Sequence, residues 1–274
     1  MRRSDVVTAW GAGPPVILLP GIQGRWEWME PAVRALSRHH RVLTFSLNRL
    51  AIASFFDAAV HAIDEMLETD GLKAATVVGV SFGGLLAACY AGRRPDRVSS
   101  LVLVSAPAPD WPLDPGTRRY LHRPRLAAPA FAVRAAVRMF PEVVAALPDW
   151  RTRAQFGASH LARIVRAPLS PTRMAAWVQA WMAADLGEDV RRVTAPTLLV
   201  TGEPSLDRVV PVASTLEYLH LIRGARHHVL ERTGHVGLLL RPEEFARVVR
   251  AFSSDAFERS RFDPHLTRPE HVCH

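Results

Sequence analysis

Apolar residues along this chain fall into two alternating patterns. Short continuous runs, Val16 to Leu19, Val42 to Leu47, Ala75 to Val80, Ser100 to Ser105 and Thr197 to Val200, are punctuated by turn residues such as Pro20-Gly21. A weaker sixth run spans His228 to Leu230, and a short one lies between Val6 and Trp10. Runs that are apolar throughout, rather than at every second position, predict strands buried on both faces of a parallel sheet. Between the runs the period changes. Phe56, Ala59, Val60, Ile63 and Leu67 recur at helical spacing behind Ser54, which is placed to cap them. Phe82 to Ala91 predicts a second helix, closed by Gly92 and Pro95. Pro242-Glu243-Glu244-Phe245 opens a last one through Phe252, with acids in its first turn. This succession predicts an α/β fold with a mostly parallel central sheet flanked by helices.

The alternation stops between Pro107 and Arg192, where prolines and helical patches occur without a convincing strand. The chain therefore divides into a first core part, 1–106, a helical cap insertion, 107–192, and a second core part, 193–252. Residues 253–274 turn polar and lose periodicity, which predicts a peripheral or disordered tail.

With 274 residues, 49% of them hydrophobic, the chain is long enough to bury one large core. No apolar run approaches the roughly eighteen residues of a membrane span, and the first residues lack a secretory-leader pattern, so a cytoplasmic protein is expected. The two cysteines, Cys89 and Cys273, make no disulfide framework. The net charge is +8, and Lys73 is the only lysine. Arginines run along the whole chain rather than forming a basic motif, which argues against a nucleic-acid partner; a preference for arginine over lysine codons is the favoured reading, an attraction to anionic surfaces or substrates is the alternative, and the charge identifies no partner. His271, Cys273 and His274 are too few and too terminal to predict a metal site. Nothing in the pattern bears on oligomeric state.

Candidate chemistry begins at Gly79-Val80-Ser81-Phe82-Gly83, a G-x-S-x-G. A chance match in a chain of this length has odds of roughly one in ten, so the motif alone is weak. Its setting, where an apolar strand ends and a helix begins, is what the chemistry needs: a sharp turn projects the hydroxyl, and glycines let backbone approach closely. A serine hydroxyl needs a base. Of twelve histidines, His235 in Thr233-Gly234-His235 follows the sixth strand, at the sheet edge where open α/β sheets place their sites. His39, His40, His227 and His228 sit at a helix end or within a strand. Asp207, in the loop after the fifth strand, is the preferred acid to orient the imidazole; Glu203 and Asp110 are rivals. Oxyanion donors are expected at the backbone N–H groups of Phe82 and of Ile22, in Pro20-Gly21-Ile22-Gln23-Gly24.

Four segments in this order, Leu19-Pro20-Gly21, Gly79 to Gly84, Ala195 to Asp207 with Val210-Pro211, and Gly234-His235 followed by Pro242 to Phe245, resemble the α/β-hydrolase superfamily, and in particular its small capped esterase-like members. The chain departs from that family in having Pro20-Gly21 where His-Gly is common and Ser46 to Ala51 in place of an aspartate- and glycine-rich loop. Serine rather than aspartate at position 81 disfavours haloalkane dehalogenase or epoxide hydrolase chemistry. The resemblance implies a carboxylic ester hydrolase working through Ser81, His235 and Asp207, with no cofactor or metal. The insertion carries Trp150, Trp177 and Trp181, and Trp28 lies beside the oxyanion loop. These four are candidate substrate contacts, predicting a small or medium, largely apolar ester as the partner. Lactone, C–C bond or perhydrolase chemistry on the same triad, and a non-catalytic ligand receptor, are the alternatives.

Overall fold

The computed structural model describes residues 8–113 and 115–262. Seven strands form one sheet: β1 (Thr8–Trp10), β2 (Pro15–Leu19), β3 (Arg41–Thr44), β4 (Ala75–Val80), β5 (Val98–Val104), β6 (Thr197–Thr201) and β7 (Arg226–Val229), in the spatial order β1-β3-β2-β4-β5-β6-β7. Only β1 runs antiparallel to its neighbour. The expected parallel sheet is present, with small shifts at the ends: the sixth predicted run begins at Arg226, and residues 6 and 7 lie outside the described range.

Side-chain alternation explains why the strands are apolar throughout. Ile17, Leu19, Val77, Leu101 and Leu199 point into one core, with helices α2 (Phe55–Thr69) and α3 (Phe82–Arg93). Val16, Leu18, Val78, Val102 and Val200 point into the other, with α1 (Glu30–Leu36) and the C-terminal helix. Fully burying each such side chain contributes about 1.5–3 kcal/mol, so polar substitution on either face is strongly destabilising. Gly92 sits so close to its neighbour that a Cβ there meets the Asp189 carbonyl oxygen at 1.8 Å.

Between β5 and β6 the chain is helical: α4 (Pro115–His122), α5 (Pro124–Ala146), α6 (Trp150–Arg166), α7 (Pro171–Ala183) and α8 (Leu186–Arg191). After β6 come α9 (Val212–Leu216), α10 (Tyr218–Leu221), β7, α11 (Gly237–Leu240) and α12 (Pro242–Phe262). This last helix corrects the expected tail at 253–262. It continues ten residues past Phe252, and Ala256, one turn further on, is buried like Val249 and Phe252. Between Phe252 and Ala256, Ser254 and Asp255 are exposed. His271, Cys273 and His274 lie outside the described residues.

The order of strands has one consequence for function. The chain moves outward from β2 to β3, then returns across β2 to β4 and proceeds the other way, so the switch point lies between β2 and β4. Ligands of open α/β sheets bind at the strands' carboxyl ends at such a point. Leu19 is paired with Gly79 there, so the loops after β2 and β4 leave the sheet side by side.

Candidate active site

Ser81 follows the last residue of β4 and precedes the first of α3, at φ 53° and ψ −123°. A non-glycine residue there holds about 1–3 kcal/mol of strain, sustained only where surrounding structure imposes it. Here the Ser81 N–H donates to the Val104 carbonyl at 2.7 Å, and its carbonyl accepts from Gly84 N–H at 2.8 Å. The flanking glycines are sterically required: a Cβ at Gly79 meets the Gly83 oxygen at 2.4 Å, and one at Gly83 meets the Leu19 and Pro20 oxygens at 2.6 Å each.

His235 reaches this hydroxyl from the loop after β7. Its Nε2 lies 3.1 Å from Ser81 Oγ, and its Nδ1 lies 3.4 Å from Asp207 Oδ2. The other Asp207 oxygen accepts the Val209 and Val210 N–H groups at 3.1 and 3.0 Å. The two loops touch through glycine: a Cβ at Gly234 meets the Leu206 carbonyl at 2.6 Å, and one at Gly202 meets the Thr233 oxygen at 2.4 Å. Of the rival acids, Glu203 accepts the Arg232 N–H at 2.6 Å, and Asp110 lies near Tyr218. Asp207 alone of the three hydrogen-bonds to His235.

The electrostatics follow from burial and pairing. Burial alone disfavours the carboxylate of Asp207, but the facing His235 and its hydrogen bonds outweigh this and hold Asp207 below the usual carboxylate range. Burial likewise disfavours the imidazolium, yet Asp207, and then Glu142, hold His235 above its ordinary value.

Glu142 is a residue the sequence reading missed. It belongs to α5, is fully buried, and accepts the N–H groups of Gly234 and Val236 at 2.9 and 3.0 Å through one oxygen, bracketing His235. Burial is the largest influence on it and pushes its carboxyl up to about 7, against the two N–H donors that favour the ionised form. Nearby, Arg232, at φ 58°, donates from Nε to the Ala145 carbonyl at 3.0 Å, giving the histidine loop a second tie to the same helix. A signal was available: Glu142 is one of only two acids among residues 115–166.

Phe82 is the first residue of α3, so its N–H has no intrahelical acceptor. Ile22 sits inside a turn closed by Gly24 N–H to the Gly21 carbonyl at 2.8 Å, and a Cβ on Gly21 approaches Ser81 Cβ at 3.4 Å. Both expected oxyanion donors thus belong to segments adjoining Ser81.

The four candidate tryptophans separate. Trp177 is fully buried, stacks on Phe55 at 5.6 Å and packs against Gly24; its Nε1 has no hydrogen-bond partner among the described residues. Trp181 meets Phe82 edge-on at 6.3 Å, donates to the Pro109 carbonyl at 2.7 Å, and borders a cavity of about 460 Å³ that Asp110, Trp111, Arg118 and Arg191 also line. Trp28 donates to the Ala167 carbonyl at 2.9 Å and meets His160 edge-on, fastening the end of α6 to the core. Trp150 corrects the expectation: it is 70% exposed at the start of α6 beside Arg151, on an outward-facing side of the helix.

A serine on a strained strand-to-helix turn, with an aspartate and a histidine arriving after later strands in the order Ser, Asp, His, is a constellation with a known fold. The α/β-hydrolase fold family model matches residues 14–242. The chain belongs to that family. It is 28% identical over 256 residues, 88% of this chain and 90% of the relative, to the 2-hydroxy-6-oxo-2,4-heptadienoate hydrolase of Pseudomonas putida. Among solved structures it resembles an esterase from Exiguobacterium antarcticum (TM-score 0.71, 20% identity, 90% of this chain and 94% of that one). It also resembles the enol-lactonase of Burkholderia xenovorans (TM-score 0.69, 21% identity, 90% and 95%). At these identities the structures speak to the fold, while the sequence relative supports a hydrolase.

Proposed function

We propose that this α/β-hydrolase is a serine hydrolase of small to medium, largely apolar carboxylic esters, with Ser81 as nucleophile, His235 as base and Asp207 as its orienting acid. One observation carries the reading: the unbroken line from Ser81 Oγ through the two imidazole nitrogens to a buried carboxylate. As Ser81 Oγ bonds to the ester carbonyl carbon, its proton passes to His235 Nε2, and the oxyanion accepts from the Ile22 and Phe82 N–H groups. Collapse breaks the bond to the leaving alkoxide, which takes the proton from His235. Water then gives a proton to His235 as its oxygen attacks the acyl carbon, and Ser81 departs reprotonated. Asp207 stays ionised, stabilising the imidazolium. The segment 107–192 acts in this reading as a cap, with Trp177 and Trp181 supplying an apolar wall beside the oxyanion loop.

A second reading is favoured by one finding, the resemblance to a hydrolase of a 2-hydroxy-6-oxo-dienoate: the same groups would then cleave a carbon–carbon bond next to a ketone. Turnover of p-nitrophenyl acetate, butyrate and octanoate, measured beside a 2-hydroxy-6-oxo-dienoate, separates the two. Ester turnover exceeding dienoate cleavage in kcat/KM supports the esterase, and the reverse order replaces it.

A further inference from the structure

Arginine is spread along the chain, but the acids that would balance it are not. Helices α4 to α6, residues 115–166, hold ten arginines and two acids, Glu142 and Asp149, so this stretch carries a net +8, the whole chain's net charge. One of those acids is buried against the histidine loop. The remaining residues are balanced, 24 basic to 24 acidic.

The same helices hold most of the exposed large apolar side chains. On α5, Leu126, Val133, Val137 and Phe140 are 64–76% exposed, and with Val144 they recur at helical spacing along one side. Arg125 lies on one flank of this stripe and Arg134 and Arg138 on the other, and none of the three makes an ion pair among the described residues. Trp150, capped by the Arg151 guanidinium 5.6 Å from its ring, continues the apolar and basic character at the start of α6. Glu142 leaves α5 on the side opposite the stripe, so the helix is tied to the molecule by its inner face and bare on its outer one.

An apolar stripe bordered by arginines is the pattern of a helix that lies in a lipid interface, where side chains enter the acyl boundary and guanidinium groups meet anionic headgroups. We propose that the outer face of α5 docks on an anionic lipid surface. A second copy of the chain would set +8 against +8. A peptide needs a walled groove, whereas the shallow depression here, Pro129, Ala130, Val133, Arg134, Val137 and Arg138, is built from α5 alone. The contact is peripheral: no helix among the described residues is long and apolar enough to cross a membrane. It is independent of the reading of Ser81.

Co-sedimentation of the full chain with vesicles of 30% phosphatidylglycerol in phosphatidylcholine, against vesicles of phosphatidylcholine alone, tests it. Anionic vesicles should retain the protein, neutral ones much less, and high salt should release it. Val133→Asp with Val137→Asp, and separately Arg134→Glu with Arg138→Glu, should each weaken partitioning roughly ten-fold or more, with far-UV circular dichroism and the thermal midpoint unchanged because Val133, Arg134 and Val137 are exposed and Arg138 is half-buried with no ion pair among the described residues. Absence of binding to anionic vesicles, or binding that both double variants retain, overturns the proposal. So does a concentration-dependent dimer, without vesicle binding, that the Val133→Asp/Val137→Asp pair abolishes.

Discussion

The Gly234 N–H donates at 2.9 Å to the carboxylate of Glu142, a residue 92 positions earlier and on a different part of the fold. With the matching bond from Val236 at 3.0 Å, one buried side chain holds both flanks of His235. The helical segment between β5 and β6 is therefore mechanically joined to the loop that carries His235, and the charge on that joint sits within the electrostatic reach of the imidazole.

The pH profile should show this. The proposed mechanism needs neutral His235, and its surroundings hold it above the ordinary 6.5 of histidine. The acid limb of kcat/KM is then centred above pH 6.5, and Glu142→Gln, which removes a negative charge but keeps an acceptor, shifts that limb to lower pH. A limb that stays in place in the variant shows that Glu142 does not act on the base.

Glu142 also links stability to pH. Its pKa in the folded chain, about 7, is above its ordinary 4.5, so the folded state holds its proton more tightly than the unfolded chain. That contribution to stability is complete below about pH 4.5 and is lost as pH rises through 7. Urea unfolding of wild type and Glu142→Gln at pH 5 and pH 8 checks it: the advantage of wild type at pH 5 should shrink by pH 8.

Asp207 and Glu203 are four residues apart, and geometry assigns them different work. Asp207→Asn should lower kcat by roughly three to four orders of magnitude, the loss typical of neutralising an acid in this role. Glu203→Gln weakens only its contact to the Arg232 N–H and should leave kcat within a few-fold of wild type. Steady-state kinetics with a soluble ester decide between them.

Strain at Ser81 predicts an opposition between activity and stability. Ser81→Gly and Ser81→Ala should both be inactive, but glycine adopts φ 53° without a Cβ penalty. The glycine variant should exceed the alanine variant in unfolding free energy by about 1 kcal/mol, read from denaturant midpoints.

The sheet was legible because strands buried on both faces must be apolar at every position, and Val16–Leu19 and Ala75–Val80 leave no other reading. Ser81, Asp207 and His235 were legible because each follows a strand's carboxyl end, a local signal. Glu142 was not: its one signal, the scarcity of acids among residues 115–166, marks it as unusual but does not tell which element it reaches. Trp150 misled for the related reason that an aromatic residue in an amphipathic helix does not announce whether its side faces core or solvent. The extension of α12 to Phe262 was hidden by the polar residues that begin at Ser253, although Ala256 among them is buried.

A reactive oxygen at residue 81 is what the proposed chemistry requires, and a fluorophosphonate probe measures that directly. Intact-mass spectrometry should show one adduct per chain, mapped to the peptide containing Ser81, and lost both in Ser81→Ala and on prior treatment with a slow ester. An unlabelled wild-type protein, or a Ser81→Ala variant that still labels and turns over, contradicts it.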